Sequence, residues 1–210
     1  LVEIPKKNSK SDMASIVAVY LLRGDGVDKS YVFGCASDKN QASIVYKEAM
    51  NYVKESEFLK EEIQIVESKK KLVHLESASF YEVVSADAYR NDGYDAVGVI
   101  FDELHRQPNR KMFTVMKRSG RARPGKHLRF VTTTYGETLK GIWGEEHQKA
   151  KDQLAGRKMY PRRLVMIASA EPINVVTTAT AEIGATSIDV WRLEQPVSAG
   201  QVLEFDSPAG

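Results

Sequence analysis

Two adjacent carboxylates, Asp102 and Glu103, follow an apolar run over residues 96–101. A buried strand that delivers two acids at its carboxyl end suits chemistry at a phosphate. The first carboxylate can hold a hydrated Mg²⁺, and the second can polarise a water aimed at a γ-phosphate. Alone the pattern is weak, because acids at strand ends often do no more than solvate a loop. A second set of residues strengthens it. Leu1, Val2, Glu3 and Ile4 read as a short strand, Pro5-Lys6-Lys7-Asn8-Ser9 as a tight loop, and Lys10-Ser11 as the lead into an amphipathic helix over 12–22. In that layout the loop amides and the helix N-terminus attract an anion, the lysine reaches the terminal phosphates, and the hydroxyl takes the metal. Ser9 stands where a glycine usually precedes the lysine, and its Cβ carries a penalty in the left-handed conformation.

The elements that must position these residues can be read from periodicity. Strands are predicted at 31–36, 63–66, 72–75, 80–85, 128–133 and 164–168, and helices at 39–54, 109–118 and 137–154. Ser37 and Asp38 are N-cap candidates for the helix at 39–54, whose Ala42, Val45, Ala49 and Val53 fall on one stripe. A turn is expected at 68–71 and another at Asp92-Gly93. Strands alternating with helices predict an α/β fold, a mostly parallel sheet covered on both faces. Ligands of such sheets sit outside the carboxyl ends of the strands. Residues 9–11, Asp102-Glu103 and 132–134 all fall at such ends. Asp102 is expected on a strand adjacent to the one preceding Lys10.

Composition sets bounds. The 210 residues allow one good core and a small appendage. Hydrophobic content of 42% with 28% charged residues is ordinary for a globular protein. The apolar runs are of strand length, too short to span a membrane, and no basic-then-apolar leader opens the chain. The single cysteine, Cys35, excludes an internal disulfide and a cysteine-based zinc cluster; its place in an apolar strand predicts simple burial. The four histidines lack metal-ligand spacing, so His105 and His127 read as solvent or phosphate neighbours.

Taken in order, the motifs resemble the large terminase subunit of tailed bacteriophages, over residues 1–172. Residues 4–11 look like that family's Walker A variant, and 33–43 like its Gln-Ala helix start. Residues 92–94 leading into 99–105 look like its Walker B with the catalytic glutamate, and 131–136 like its coupling motif. The resemblance implies a P-loop NTPase core of the additional-strand, RecA-like type that binds ATP and Mg²⁺. Lys10 and Glu103 would be catalytic. Lys6, Lys7, Asn8, Ser9, Lys10, Ser11 and Gln41 would hold the nucleotide, Ser11 and Asp102 the metal, and Thr132, Thr133 and Thr134 would couple hydrolysis to movement. The implied activity is an ATPase module driving double-stranded DNA into a procapsid in the bacterial cytoplasm. Its implied partners are a portal protein and a small terminase subunit, and it would be a monomer alone and a ring when active. The alternative is a prophage remnant that binds nucleotide or DNA with turnover impaired, a reading motivated by Ser9. A full helicase would need a second RecA-like domain.

Charge is near balance at +2 but unevenly placed. Between Glu103 and Glu137 there is no acid, while Arg106, Arg110, Lys111, Lys117, Arg118, Arg121, Arg123, Lys126 and Arg129 all fall there. Such a block can grip DNA phosphates or lend an arginine to a neighbouring subunit, with Arg118, Arg121 and Arg123 as candidates; a solvated basic face is the plain alternative. Lys6 or Lys7 could supply the same cation in cis. Residues 173–210 read as a short β-rich appendage rich in threonine and small residues. The family's RNase-H-like nuclease domain has no room there, so nuclease activity is not expected.

Overall fold

Val32 and Phe33 occupy opposite sides of one strand, as do Ile100 and Phe101, and each side has its own core. This alternation follows from the two-residue repeat of a strand, and it demands helices on both faces. The computed structural model describes residues 1–37, 39–85, 94–120, 126–136 and 139–168, with the side chains of 36 and 39–42 excepted. Asp38, the Asp92-Gly93 turn, Arg121, Arg123, the side chains of Gln41 and Ala42, and the appendage at 173–210 lie outside the described residues.

The strands are β1 (Val2–Glu3), β2 (Tyr31–Ala36), β3 (Ile63–Val66), β4 (Lys71–His74), β5 (Ser79–Ser85), β6 (Gly98–Phe101), β7 (Leu128–Thr133) and β8 (Met166–Ile167). They form an eight-stranded sheet in the order β3-β4-β5-β2-β6-β7-β1-β8. Among the described strands every pair from β5 to β8 is parallel, and only β3-β4 and β4-β5 are antiparallel. The antiparallel edge follows from short connections. Lys70, in the left-handed conformation at φ 49°, closes the turn between β3 and β4, and a two-strand return needs no crossover helix.

Five α-helices complete the described fold: α1 (Lys10–Val19), α2 (Lys39–Glu55), α3 (Glu57–Glu62), α4 (Lys111–Ser119) and α5 (Gly141–Leu154). Helix α1 begins two residues earlier than its periodicity predicts and loosens into a wide turn over Tyr20–Gly24. Its buried face is small, Ala14, Ser15 and Ala18, which allows close approach to α2 and β7. The stripe Val45, Ala49 and Val53 buries α2 on the same face of the sheet, against Leu72, Tyr81 and Ile100. On the other face Met112, Phe113 and Met116 of α4 and Ile142 and Trp143 of α5 cover Val99, Phe101 and Val131. Helix α5 starts at Gly141 instead of residue 137.

One expectation is corrected. The strand carrying Asp102 is not adjacent to the strand preceding Lys10, because β7 lies between β6 and β1. The hydroxyl-rich end of β7 is thereby wedged between the loop that follows β1 and the acids that follow β6. Register completes the placement: Phe101 faces Val131, and Val2 faces Thr132.

Candidate functional site

The site forms where β1, β6 and β7 end together. Ile4 closes β1 by donating its N–H to the carbonyl of Thr133 at 3.2 Å, and Pro5 then turns the chain away from the sheet. The loop reaches α1 through two left-handed residues, Lys7 at φ 66° and Ser9 at φ 47°. Asn8 braces it by donating its side-chain amide to the carbonyls of Pro5 and Lys6, at 3.3 and 3.2 Å. Ser9 thus adopts the conformation in which glycine is favoured, and its side chain caps nothing. The first-turn amides of α1 therefore receive no side-chain cap from Ser9 and can face an anion.

Lys10 opens α1 and is buried. Its ammonium donates to the carbonyls of Pro5 and Ile4, at 3.0 and 3.4 Å, and lies 3.9 Å from Glu103 Oε1. The Ser11 hydroxyl donates to Asp102 Oδ2 at 2.9 Å, across the end of the intervening strand. Asp102, also buried, receives two more bonds: its Oδ1 accepts from the Thr132 hydroxyl at 2.6 Å and from the Glu103 N–H at 3.1 Å. Every carboxylate oxygen of this buried acid is accounted for, as burial of a charge requires. Ser11 and Asp102 offer hard oxygen donors side by side, the donor type that Mg²⁺ takes together with phosphate oxygens and waters. Among the described residues no group of three or more His, Cys, Asp and Glu could hold a metal.

Glu103 leaves the strand in the left-handed conformation, φ 53° and ψ 54°. Its carboxylate lies between Lys10 on one side and His105 on the other. His105 Nδ1 is 3.2 Å from Glu103 Oε2 and 3.1 Å from Thr133 Oγ1. Burial lowers the imidazole pKa below its ordinary value, Glu103 works against that, and Arg106, Lys6 and Lys10 add to the lowering.

The structure therefore brings together Lys10, Ser11, Asp102, Glu103, Thr132, Thr133 and Thr134, and adds His105, for which the sequence predicts only a solvent or phosphate neighbour. His127 instead sits with its Nδ1 2.9 Å from the Ala96 carbonyl. The basic block is divided. Arg106, Arg118 and Lys126 are exposed, Arg110 pairs with Glu145 at 2.7 Å, and the guanidinium of Arg129 lies over the Phe113 ring, where burial lowers its pKa.

A second polar cluster escaped the sequence reading. Glu3 of β1, 1% exposed, accepts from Trp143 Nε1 at 3.2 Å and lies 2.9 Å from His147 Nδ1. Tyr135 packs edge-on against both Trp143 and His147. A Cβ on Gly136 would meet the Trp143 ring at 2.9 Å, so the chain leaving Thr134 runs hard against α5. The available signal was an acid inside an apolar strand, together with Trp143 and His147 spaced to share one helix face.

Residues 1–152 match the family model for the terminase large subunit, ATPase domain. A curated relative, the terminase large subunit of Enterobacteria phage HK97, is 26% identical over 157 residues, covering 72% of this chain and 31% of the relative. The crystal structure of the HK97 large terminase superposes with a TM-score of 0.69 at 22% identity, over 80% of this chain and 35% of that one. The ATPase domain of a Thermus phage large terminase gives 0.55 at 17% identity, over 77% of this chain and 83% of that one. The chain thus spans about a third of the length of the HK97 protein, and the two solved structures share its P-loop NTPase-like fold, a mostly parallel sheet between helices.

Proposed function

The chain belongs to the family of terminase large-subunit ATPase domains, and from that premise we propose that it is the ATP-hydrolysing module of a motor that drives double-stranded viral DNA into a procapsid. One observation carries the reading: the Ser11 hydroxyl and the Asp102 carboxylate meet at 2.9 Å across the end of β7. Residues 91 positions apart thus place a hydroxyl and a buried acid together at the mouth of a phosphate-type loop, the pair of hard oxygen donors that Mg²⁺ takes beside phosphate.

The roles follow from what each side chain can do. The loop Lys6, Lys7, Asn8 and Ser9 would present amides and two exposed ammonium groups to the phosphates, with Gln41 a further candidate by family resemblance. Lys10 exchanges its two carbonyl acceptors for β- and γ-phosphate oxygens and spreads positive charge over them. Ser11 and Asp102 would hold Mg²⁺, which when bound neutralises charge on the terminal phosphates. Thr132 fixes the Asp102 rotamer from the side away from Ser11. Glu103 orients the attacking water; in phosphoryl transfer, positioning and electrostatics supply nearly all the catalysis. Thr133 and Thr134 lie beside Glu103 through His105 and continue through Tyr135 to α5, a route by which the state of the phosphate reaches the body of the domain.

Partners follow from the same reading. The exposed Arg118 of α4, with Arg121 and Arg123 as candidates from sequence, would grip DNA phosphates or serve a neighbouring subunit in a ring. Such grip carries no base information and weakens steeply with salt. The portal protein and the small subunit would be the assembly partners, in the bacterial cytoplasm. No helix among the described residues is long and apolar enough to cross a membrane.

The test is Glu103→Gln, assayed for ATP binding and for turnover in the presence of duplex DNA. Binding should persist while turnover falls by about 10²- to 10³-fold, the usual loss when one positioned catalytic group is removed. Near-normal turnover would remove Glu103 from this role.

A further inference from the structure

We propose that His105 is a positioning residue that sets the Glu103 carboxylate and ties it to Thr133 and Thr134; the inference rests on Glu103 orienting water, as assigned above. Proton accounting at the contact leads there. The Thr133 hydroxyl donates its one proton to the Thr134 carbonyl at 3.0 Å and accepts from the His105 N–H at 3.2 Å. The imidazole Nδ1 therefore faces two acceptors, Thr133 Oγ1 at 3.1 Å and Glu103 Oε2 at 3.2 Å. Only a ring that carries its proton on Nδ1 satisfies both. Thr134 Oγ1 lies against the ring, 3.3 Å from Nδ1 and 3.5 Å from Nε2.

The two oxygens of Glu103 are thus addressed from opposite sides, Oε1 by the Lys10 ammonium and Oε2 by the imidazole. His105 is itself well anchored. It sits in a single tight turn, Leu104–Arg106, whose Leu104 is fully buried. Its backbone and its ring both contact the same threonine hydroxyl. A shift at the end of β7 must therefore move the ring, and the ring must move the glutamate. Lysine alone does not do this, because its ammonium is bonded to the Ile4 and Pro5 carbonyls of the loop after β1 and not to β7.

Three variants separate positioning from packing. In Asn the side-chain amide nitrogen falls near the place of Nδ1, whereas in Gln it falls near that of Nε2. His105→Ala should lower kcat about 100-fold, the scale of a 1 Å misplacement at a reacting centre, with KM for ATP little changed. His105→Asn should recover most of that loss and His105→Gln should not. Independently of turnover, a ¹H–¹⁵N imidazole spectrum of the wild-type chain should show His105 protonated on Nδ1, and Thr133→Val should shift that resonance. Wild-type kcat in His105→Ala beside a collapsed Glu103→Gln would overturn the positioning role while leaving Glu103 in place. Equal rescue by Asn and Gln, or an Nε2–H tautomer, would overturn it too. If Glu103→Gln itself turns over normally, the functional assignment fails, and the imidazole spectrum still decides the contact.

Discussion

Replacing Ser9 with glycine should make the chain more stable. Ser9 sits at φ 47° and ψ 33°, where an L side chain costs roughly 1–2 kcal/mol per residue. Its hydroxyl makes no cap to the helix it precedes and the residue is exposed, so little is lost with the side chain. Glycine is more flexible when unfolded, which takes back about 0.4–1 kcal/mol. The difference leaves a gain of about 0.5–1 kcal/mol, or a rise of about 1–4 °C in Tm for a chain of this size. Thermal melts and urea titrations measure this directly and need no nucleotide. Two controls bracket it. Ala78→Gly relieves the same strain at φ 52°, between β4 and β5, and should raise Tm as well. Gly26→Ala, at φ 66° with nothing within 4 Å of the added Cβ, should lower it through backbone strain alone. A lower Tm in Ser9→Gly beside a higher one in Ala78→Gly would refute the reasoning, since Ser9 would then be holding the loop by its side chain.

Other outcomes follow from the same geometry. Thr132→Val keeps the shape of a fully buried side chain but removes the 2.6 Å bond to Asp102; stability in urea should fall by about 1.5–3 kcal/mol, the range for a hydrogen bond to a charged group, and a loss below about 0.5 kcal/mol would mean Ser11 and the Glu103 amide suffice to hold the acid. Burial pushes the Glu146 carboxyl pKa up, but the Lys149 hydrogen bond, Arg163 and Arg129 bring it net below its ordinary 4.5. A depressed folded pKa gives stability above the unfolded value that is lost as pH falls through the folded one. The urea midpoint should therefore drop on acidification below about 4.5, and Glu146→Gln should flatten that acid limb.

Much of this was legible from residue order alone, for identifiable reasons. Strands such as 31–36 and 128–133 are rich in apolar and β-branched residues, and the helix at 39–55 carries a stripe; both are local patterns, so neighbours in sequence are enough to read them. The acids at 102–103 and the lysine and serine at 10–11 were legible because each ends or begins such an element. Helix boundaries at 10, 111 and 141 were less so, because a first turn is set by how the preceding loop leaves the sheet.

What the chain could not tell from its order was which strand lies between which. Insertion of β7 between β1 and β6 is a matter of long-range pairing, decided by how both faces are covered at once. That insertion turns three consecutive threonines into the partners of Asp102 and His105, and makes a histidine with no ligand spacing the bridge from the acid to β7. It also buries Glu3 under Trp143 and His147, some 140 residues away. Periodicity reports which side of an element a residue occupies. Only packing determines what stands opposite it, and hydrogen-bond roles depend on that opposite group. Local sequence therefore determined the elements and the chemically able residues, and tertiary structure decided their partnerships.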